Sequence, residues 1–517
     1  MRTIWHSLAW KEWHEHKWKL VSITAVLWGT TVLTMPNDER DVFGFAGAML
    51  LACIIPLSVF VGLNAAANER SRGTLRFLQA LPVPLWRVAL HKLAFGLITL
   101  VVPVLLTLLL ALAWWWRWLA LDSSKAMYLL RNDAPLTNNW FIDIAFMALL
   151  GAASLYIWSA AAGGNRKDEV SAGAVALSVM VGYWLILVTL WSVLLMRSTS
   201  VETARLRAVA VATAPGSGFT LGVIAKAEPE AMMFGIVAAI IAHGLLATRY
   251  VQRFGQTADS EVRSPQAAAT NTTAAYWVAP PRRSTITAIA WKQFRESAPI
   301  VLAGVAGIVG IVVLITVAGW QAVQHRQTPK EFLEVFSSVS LTLGFIIALV
   351  LGIGVCLYDV SPRVNAFWRS RPVQPDAWFW TKFFTGLIVL LLALYLPLVF
   401  VAWLAQLHSS ADIWQPEALI FPLVHVAVFS AAVAMTCLVR QAVYAAILSI
   451  PLMYLGVVLV WAAIWIAALA GWRERPVDAI YEMSKQQVAV GMIISSVICT
   501  SVAWLAMRYD WGRKSRY

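Results

Sequence analysis

Long apolar stretches separated by short polar segments run through the whole chain. At roughly 20 residues per membrane-crossing helix, these stretches predict twelve spans. The predicted spans are residues 20–36, 43–66, 89–115, 140–162, 171–196, 231–249, 298–318, 334–358, 377–406, 416–438, 442–471 and 488–507. The longest of them, 377–406 and 442–471, leave room for tilt, a kink or a re-entrant piece. The pattern predicts an all-α polytopic membrane protein with about 12 transmembrane helices.

Composition and charge place the chain in a membrane with a defined orientation. Hydrophobic residues make up 60% of the chain and charged residues 13%, which is incompatible with a soluble domain of this length. Most of the 40 Lys and Arg residues fall in the two termini and in alternate loops on the same predicted side. Because short cytoplasmic loops accumulate basic residues, we expect a multi-pass protein of the cell (inner or plasma) membrane with both termini cytoplasmic. Anionic membrane lipid accounts for the net charge of +13 without a nucleic-acid partner.

Two segments before predicted spans have the period of an amphipathic helix. Residues 4–15 contain Trp10, Lys11 and Glu12, and residues 285–296 contain Trp291 and Lys292. The predicted apolar stripes are Trp5, Leu8, Ala9, Trp13 and Ile286, Ile289, Ala290, Phe294. With charged residues on the other face, each segment is predicted to be an interfacial helix lying on the cytoplasmic membrane surface.

A second polar element recurs after the second and the eighth predicted span. The first copy reads ERSRGTLRFLQALPV from Glu69, and the second reads DVSPRVNAFWRSRPV from Asp359. Lys92 and Lys382 each follow ten residues after the proline of their copy. The landmarks predict two parallel six-span repeats, residues 1–250 and 286–517, joined by a cytoplasmic linker at 251–285.

These residues resemble the permease subunits of ABC-2 type ABC transporters. The likeness is carried by a Trp-Lys-Glu amphipathic helix, two spans, and then Glu-Arg-x-x-Gly-Thr-Leu-x-Phe-Leu-x-x-Leu-Pro-Val with a lysine entering the third span. It covers each six-span half. The second copy is degenerate, with Arg363-Val364 where the first has Gly73-Thr74, so its recognition rests on register with the first copy.

The resemblance implies an ATP-driven exporter whose cytoplasmic helices dock on a separate ATP-hydrolysing subunit. The docking helices would be residues 69–81 and 359–371, assisted by the two interfacial helices. The residues implied in the first loop are Glu69, Arg70, Arg72, Gly73, Thr74, Leu75, Phe77, Leu81 and Pro82. Those implied in the second loop are Asp359, Arg363, Phe367, Arg369, Arg371 and Pro372. An alternative is that each loop is a positive-inside anchor and nothing more.

Glu69 and Asp359 are predicted near the start of their loop helices, where the helix dipole favours a carboxylate, and Pro82 and Pro372 are predicted to end them. The chain has no Gly-x-x-x-x-Gly-Lys-Ser/Thr sequence, so ATP and Mg²⁺ are expected on partner ABC-type ATPase subunits that form a dimer. This chain itself is expected to be no enzyme and to hold no cofactor or metal.

Few polar side chains fall inside the predicted spans, and these keep other functions open. Asp143 is at the outer end of span four, where solvation or a helix start accounts for it. His243 and His425 are expected to be neutral and hydrogen-bonded within the bundle, with a transport role as the alternative. A self-contained secondary transporter would need these three residues for ion coupling. An intramembrane enzyme is a third, weaker alternative, because no paired carboxylates, zinc motif or activated nucleophile is apparent.

The scarcity of intramembrane charge favours a lipophilic or amphipathic exported substrate that moves between the two halves. The sequence leaves the substrate unidentified and does not fix the fold of residues 197–230, where Pro215-Gly216-Ser217-Gly218 indicates a turn or a partial re-entry into the membrane.

Overall fold

The protein is helical throughout the part of the chain that the computed structural model describes. The described residues are 2–34, 42–71, 73–80, 82–121, 140–164, 166, 169–190, 201–218, 229–256, 284–322, 329–360, 362–369, 373–408, 420–469 and 485–510. They form sixteen helices and no strand. The predicted all-α class is confirmed.

The first half of the chain contributes eight of these helices. They are α1 (Arg2–Thr34), α2 (Val42–Ser71), α3 (Leu75–Ala80), α4 (Leu85–Leu121), α5 (Trp140–Gly163), α6 (Glu169–Leu190), α7 (Val201–Ala212) and α8 (Pro229–Arg253). The second half contributes α9 (Thr285–Ala322), α10 (Pro329–Leu357), α11 (Pro362–Arg369), α12 (Pro375–His408), α13 (Ile420–Val439), α14 (Ala442–Met453), α15 (Leu455–Leu469) and α16 (Lys485–Tyr509).

Six segments of the described chain are long and apolar enough to cross a membrane. They are Leu85–Ala113, Ala231–Arg253, Pro375–Val399, Ile420–Val439, Ala442–Ile464 and Gln486–Tyr509. Three shorter apolar segments are Met147–Gly163, Ser171–Leu187 and Leu343–Leu357. The chain is therefore a membrane protein by length and composition of its helices.

Where the structure describes them, the predicted spans lie in helices, and the two longest differ from each other. The eleventh predicted span, 442–471, is divided at Tyr454 into α14 and α15, with Pro451 in the last turn of α14. Proline removes a backbone donor and clashes with the preceding turn, which favours the break. The other long stretch, 377–406, lies within the single helix α12.

The predicted interfacial helices are not separate elements. Residues 4–15 are the first turns of the 33-residue helix α1, and residues 285–296 open the 38-residue helix α9. In α1 no glycine or proline interrupts the chain between Glu15 and Leu20, so backbone hydrogen bonding continues from the amphipathic segment into the apolar one. Helix α9 continues through Pro299.

Helices of each half pack mainly on one another. In the first half α1 packs on α4 and α2 packs on α5, and in the second half α9 packs on α12 and α10 packs on α13. The halves meet where α6 packs on α9 and where α14 packs on α1 and α2. One apolar core joins α2, α5 and α6 to the second half, and a second joins α1, α2, α4 and α5 to α14.

One glycine in each half allows two helices to approach closely. A Cβ atom on Gly62 of α2 would lie 2.6 Å from the Tyr156 carbonyl oxygen of α5. A Cβ atom on Gly352 of α10 would lie 2.7 Å from the Phe429 carbonyl oxygen of α13. Small residues at such crossings bring helix backbones into contact in membrane proteins.

Residues 201–218, the described central part of the segment whose fold the sequence left open, turn back inside the bundle. Helix α7 packs along α8, with the Arg205 guanidinium 4.8 Å from the Phe234 ring centroid. The turn that follows α7 is buried against α5, where the Gly216 amide donates to Ser154 Oγ at 3.0 Å. Non-helical backbone deep in a membrane protein requires such internal partners, so the segment fits a partial re-entry.

Candidate functional site

A buried cluster of charged side chains joins α1, α2 and α4 beneath the first loop. Lys92 Nζ lies 3.0 Å from Glu12 Oε1 and 2.7 Å from Glu69 Oε1. Lys11 Nζ lies 2.9 Å from the same Glu69 oxygen. Glu12, Glu69 and Lys92 are only 1%, 5% and 4% exposed. Because unpaired buried charges are very costly, these contacts fix the three helices relative to one another.

The sequence of the first loop explains how Glu69 reaches this cluster. Glu69 is in the last turns of α2, and Gly73 ends the helix with a φ of 73°. The Thr74 amide donates to the Glu69 carbonyl at 2.9 Å, and the Thr74 hydroxyl donates to the Glu69 carboxylate. Glycine adopts this left-handed conformation at little cost. The Glu-x-x-x-Gly-Thr spacing therefore builds a helix end that holds its own carboxylate.

The prediction that Glu69 begins the loop helix is wrong. Glu69 lies near the end of α2, where the helix dipole does not favour a carboxylate, and α3 begins only at Leu75. Lys11 and Lys92 stabilise its charge instead. Helix α3 ends at Ala80, before Pro82, as predicted.

Helix α3 exposes one apolar side chain, and hydrogen bonds attach the first loop to the rest of the protein. Phe77 is 66% exposed, whereas Leu78 is buried. Gln79 Nε2 donates to the Gly255 carbonyl at 3.0 Å, and Arg70 Nη2 donates to the Gln256 carbonyl at 2.5 Å. The loop helix is thus attached to the residues that directly follow α8.

A second buried charge cluster lies beneath the second loop. Lys382 Nζ contacts the Asp359 carboxylate and donates to the Val355 carbonyl at 3.0 Å. Lys292 Nζ lies 3.6 Å from Asp359 and is 49% exposed on its side chain. Gln293, at the position that follows this lysine, is buried and donates to Ser297 Oγ at 2.9 Å. The second cluster therefore has one buried carboxylate, on Asp359, where the first has two.

A pair of stacked indole rings and a hydrogen bond from Asn365 hold the second loop helix, α11. The Trp368 and Trp378 ring centroids are 4.7 Å apart at an interplanar angle of 3°, and Trp368 Nε1 donates to the Asp359 carbonyl at 3.1 Å. Asn365 Nδ2 donates to Asp510 Oδ1 at 3.1 Å. Asp359 precedes α11 by three residues, so the predicted position near a helix start holds for this loop only.

Asp510, the residue that follows α16, links α11 to the turn at Arg440. Arg440 Nη2 lies 2.5 Å from Asp510 Oδ1, and Arg369 donates to Asn365 Oδ1 at 2.9 Å and to the Met507 carbonyl. Burial works to raise the pKa of Asp510, but the hydrogen bond and charge of Arg440 outweigh burial and lower it. Both loop helices are therefore attached to the end of the last long helix of their half.

Burial and neighbouring charges also perturb ionisation in the first cluster. Burial works to raise the pKa of Glu69, but the charge of Lys92 and hydrogen bonds from Lys92, Thr74 and Lys11 lower it to about 2. Burial, followed by the charges of Lys19 and Lys92, lowers the pKa of His16 to about 2. Glu69 is therefore ionised and His16 neutral near neutral pH.

Each amphipathic segment buries one polar residue against the protein. In α1, Leu8 and Glu12 are buried, while Trp13 of the predicted apolar stripe is 44% exposed. In α9 likewise, Phe294 is exposed and Gln293 is buried. The reason is the buried lysine supplied by α4 in the first half, since it makes a carboxylate-bearing face the favourable one to bury. Trp10 and Trp291 are exposed.

The two intramembrane histidines lie in separate hydrogen-bonded settings. His243 Nε2 accepts from Ser154 at 2.7 Å while its Nδ1 faces the Ala239 carbonyl at 2.7 Å. His425 Nδ1 pairs with the Tyr395 hydroxyl and its Nε2 lies 3.2 Å from the Leu341 carbonyl. A neutral imidazole satisfies each set, and both rings are hydrogen-bonded within the bundle, as predicted.

Several predicted site residues lie outside the described part of the structure. Arg72, Leu81, Arg371 and Pro372 are in this group, as are the side chains of Arg363, Phe367 and Asp143.

Oxygen atoms of Glu12, Glu15 and Glu69 lie within 4.8 Å of one another. That grouping has the chemistry of a cation site, but Lys92 Nζ already contacts two of the three carboxylates. A bound metal ion would have to displace this buried lysine, so the donor set does not fit a metal.

Sequence reasoning missed the partners that neutralise the two loop carboxylates. Lys92 and Lys382 were recognised only as matching landmarks ten residues after a proline. Their constant spacing from Glu69 and Asp359, 23 residues in each loop, was the signal that would have paired them. His16 and its hydrogen bond to Thr99 Oγ1 at 2.8 Å had no signal in a single sequence.

Comparison with protein-family models, with curated proteins and with solved structures finds no match to this chain. Function has to be inferred from the residues and their geometry.

Proposed function

We propose that the chain is the membrane-spanning permease subunit of an ABC-2-like exporter, driven by separate ATPase subunits. The observation that carries this proposal is the pair of loop helices. Each lies over a buried pair between a lysine and a carboxylate, Lys92 with Glu69 and Lys382 with Asp359. A docking element that transmits force needs such a rigid base. A loop that only anchors the chain by its charge needs no buried ion pair.

Contacts that recur at constant spacing support two parallel repeats. Lys92 and Glu69 correspond to Lys382 and Asp359 at an offset of 290 residues. Lys11 and Glu15 are matched by Lys292 and Glu296 at an offset of 281. When two halves share one fold, a contact in the first half is expected to recur between the corresponding residues of the second half.

Helix crossings also recur at corresponding positions in the two halves. Gly62 meets Tyr156, and Gly352 meets Phe429, so α2 with α5 corresponds to α10 with α13. Between the halves, the contact of α9 with α6 corresponds to that of α1 with α14. These correspondences support an axis along the membrane normal and twelve spans. On the distribution of Lys and Arg between alternate loops, we propose that both termini are cytoplasmic and that the membrane is the cell membrane.

The geometry supports a direct route from a docked ATPase to the spans. Phe77 would be the contact that a partner reaches first, because it is exposed at the tip of the first loop. A displacement of α3 would move Glu69, and the buried ion pairs would pass it through Lys92 to α4 and through Lys11 to α1. Alternating states of the halves would then move an exported substrate along their interface. ATP and Mg²⁺ would be bound by the partner ATPase dimer.

The test is to isolate the tagged chain from its native membranes and ask whether a P-loop ATPase copurifies. We expect Phe77→Asp to reduce the captured ATPase about tenfold or more, because an exposed aromatic anchor dominates small docking surfaces. Gln252→Asp, an exposed change at the end of α8, is the matched control and should leave capture unchanged. Transport without any copurifying ATPase would favour a secondary transporter and overturn the proposal.

A further inference from the structure

Residues 254–256 form a short strap that fastens the first loop to the end of α8. Gln79 Nε2 of α3 donates to the Gly255 carbonyl at 3.0 Å, and Arg70 Nη2 donates to the Gln256 carbonyl at 2.5 Å. Both acceptors are backbone carbonyls of consecutive residues. The strap therefore holds the loop through donors that the loop itself supplies.

The conformation of the strap depends on a glycine. Gly255 has a φ of 82°, and a Cβ atom at this position would lie 2.7 Å from Leu85 Cδ1 of α4. Glycine adopts such a left-handed conformation at little cost and needs no space for a side chain. The Gln256 amide donates to the Arg253 carbonyl at 3.2 Å. The backbone therefore turns at the point where it accepts hydrogen bonds from the loop.

The strap is the weaker of two attachments of the first loop. The other attachment is buried, because Lys92 Nζ lies 2.7 Å from Glu69 Oε1 and both side chains are 5% exposed. Gln79, by contrast, is an exposed residue, and the hydrogen bond from Arg70 to the strap is exposed to solvent. Exposed hydrogen bonds compete with water and add little net stability, so segments that they hold open locally at low free energy. The strap is expected to open before the ion pair does.

A cavity of about 10 Å³ lies in the seam between the strap and the loop. It is lined by Glu69 and Arg70 on the side of the loop and by Phe254 and Gly255 of the strap. Its volume is about what one water molecule requires, so the two sides are not tightly packed there. Arg253 lines the same cavity, which places positive charge on both sides of the seam and disfavours tight closure.

The second loop has a stronger attachment after the last helix of its half. Asn365 Nδ2 of α11 donates to Asp510 Oδ1 at 3.1 Å, and Arg440 Nη2 lies 2.5 Å from the same oxygen. A hydrogen bond between two charged groups is stronger than one from a side-chain amide to a backbone carbonyl. A releasable attachment is therefore expected at the first loop rather than at the second.

We propose that residues 254–256 are a releasable strap that controls the orientation of the docking helix α3. The bound strap holds α3 in the orientation that the structure shows, and the released strap lets α3 turn about the buried ion pair of Glu69. The inference rests on the proposed function, since it names a conformational control of the ATPase-docking loop. A helix held in one orientation loses less conformational freedom on binding, so release of the strap weakens docking at the first loop.

The test follows the motion of α3 in the purified full-length chain in lipid nanodiscs without an ATPase. A nitroxide spin label is attached at Ala80→Cys, an exposed position at the end of α3, and the four native cysteines are buried. Gln79→Met keeps the length of the side chain but removes its donor, and we expect the mobile fraction of the label to rise about threefold. Gln252→Met, exposed at the end of α8, is the control and should leave this fraction unchanged.

Gly255→Ala tests the strap without altering the loop. Alanine is strained at a φ of 82°, and its methyl group would collide with Leu85, so we expect the same rise in the mobile fraction. A label at Leu245→Cys, on the exposed face of α8, should not change in either variant, which separates release of α3 from unfolding. An unchanged label at position 80 in either variant would overturn the inference. So would an equal rise at positions 80 and 245, or an equal rise in Gln252→Met.

Failure of this inference is distinguishable from failure of the proposed function. The mobility measurement needs no ATPase, whereas Gly255→Ala should also reduce ATPase capture about threefold although Phe77 is unaltered. A released label with normal capture would overturn the control of docking and leave the proposed function standing. Absence of any captured ATPase from the unaltered chain would reject the proposed function itself.

Discussion

The two loops differ in what holds them, although both place a carboxylate beneath a short helix. In the first loop, Glu69 shares Lys92 with a second buried carboxylate, Glu12, and Gly73 turns the chain. In the second loop, Asp359 has the buried Lys382 and a stacked indole pair above it. In the first loop two buried carboxylates share one lysine, whereas in the second loop stacked indoles add to the ion pairs. If the loops dock on an ATPase dimer as proposed, the two docking sites would be unequal.

Replacement of the buried lysines should separate the two loops most strongly. Lys92→Met leaves Glu12 and Glu69 buried beside one remaining lysine, and we expect a loss of about 3 to 5 kcal/mol in the free energy of unfolding. Lys382→Met leaves Asp359 near Lys292, so the expected loss is smaller, about 2 kcal/mol. Thermal unfolding in detergent followed by tryptophan fluorescence compares the two. Equal losses would contradict the difference between the loops.

Glu12 and Gln293 occupy corresponding positions in the two charge clusters, so exchanging these residue types tests how the clusters differ. Glu12→Gln gives the first cluster the residue of the second and removes one charged partner of Lys92, at a cost of about 1.5 to 3 kcal/mol. Gln293→Glu should also destabilise, because Lys382 already has Asp359 as its partner. Glu296→Gln, at an exposed position, is the control and should change stability by less than about 1 kcal/mol. A stabilising Gln293→Glu would show that the second cluster lacks a charge.

Acid should act on the first loop before the second. Unfolded His16 takes up a proton below its usual pKa of 6.5, whereas folded His16 does so only at about 2. The unfolded state therefore binds more protons, and stability falls as pH drops below 6.5, by about 2 kcal/mol at pH 5. Stability that the ionised form of Glu69 supplies is present above pH 4.5 and is lost as pH falls from there to about 2.

His16→Gln should flatten the stability profile between pH 6.5 and 4.5, because Gln keeps a polar group near Thr99 but does not titrate. Melting temperatures measured across this range give the result, and His14→Gln, on the exposed face of α1, is the control. An unchanged slope in His16→Gln would assign the acid sensitivity to another group.

The glycine turn should give the smallest effect. Gly73→Ala forces an alanine into a φ of 73° with no neighbouring atom within 4 Å, so the cost is that of the backbone alone, about 1 kcal/mol. Gly29→Ala, inside α1 and also without neighbours within 4 Å, should instead stabilise by about 0.5 to 1 kcal/mol. Melting temperatures that move in the same direction for both changes would contradict the role of the turn.

Apolar run length was enough to predict where the helices lie, because a membrane-crossing helix leaves a long uninterrupted signal. The buried face of α1 was not predictable in the same way. Glu12 is favourable inside only because Lys92, 80 positions later in the chain, reaches it. Tertiary partners of this kind leave no periodicity.

The sequence predicted which residues lie at the candidate site but not how they pair with one another. Glu69 and Gly73 were identified from the recurrent motif, but the roles of a buried ion pair and a helix-ending glycine required coordinates.

Photo-crosslinking from the first loop tests the central claim most directly. A photoreactive phenylalanine analogue would replace Phe77 in one chain and Leu245, on the exposed face of α8, in another, and both would be irradiated in native membranes. A nucleotide-binding protein crosslinked from position 77 and not from position 245 is the predicted result. No such adduct from position 77, with the chain folded and transporting, would contradict the account.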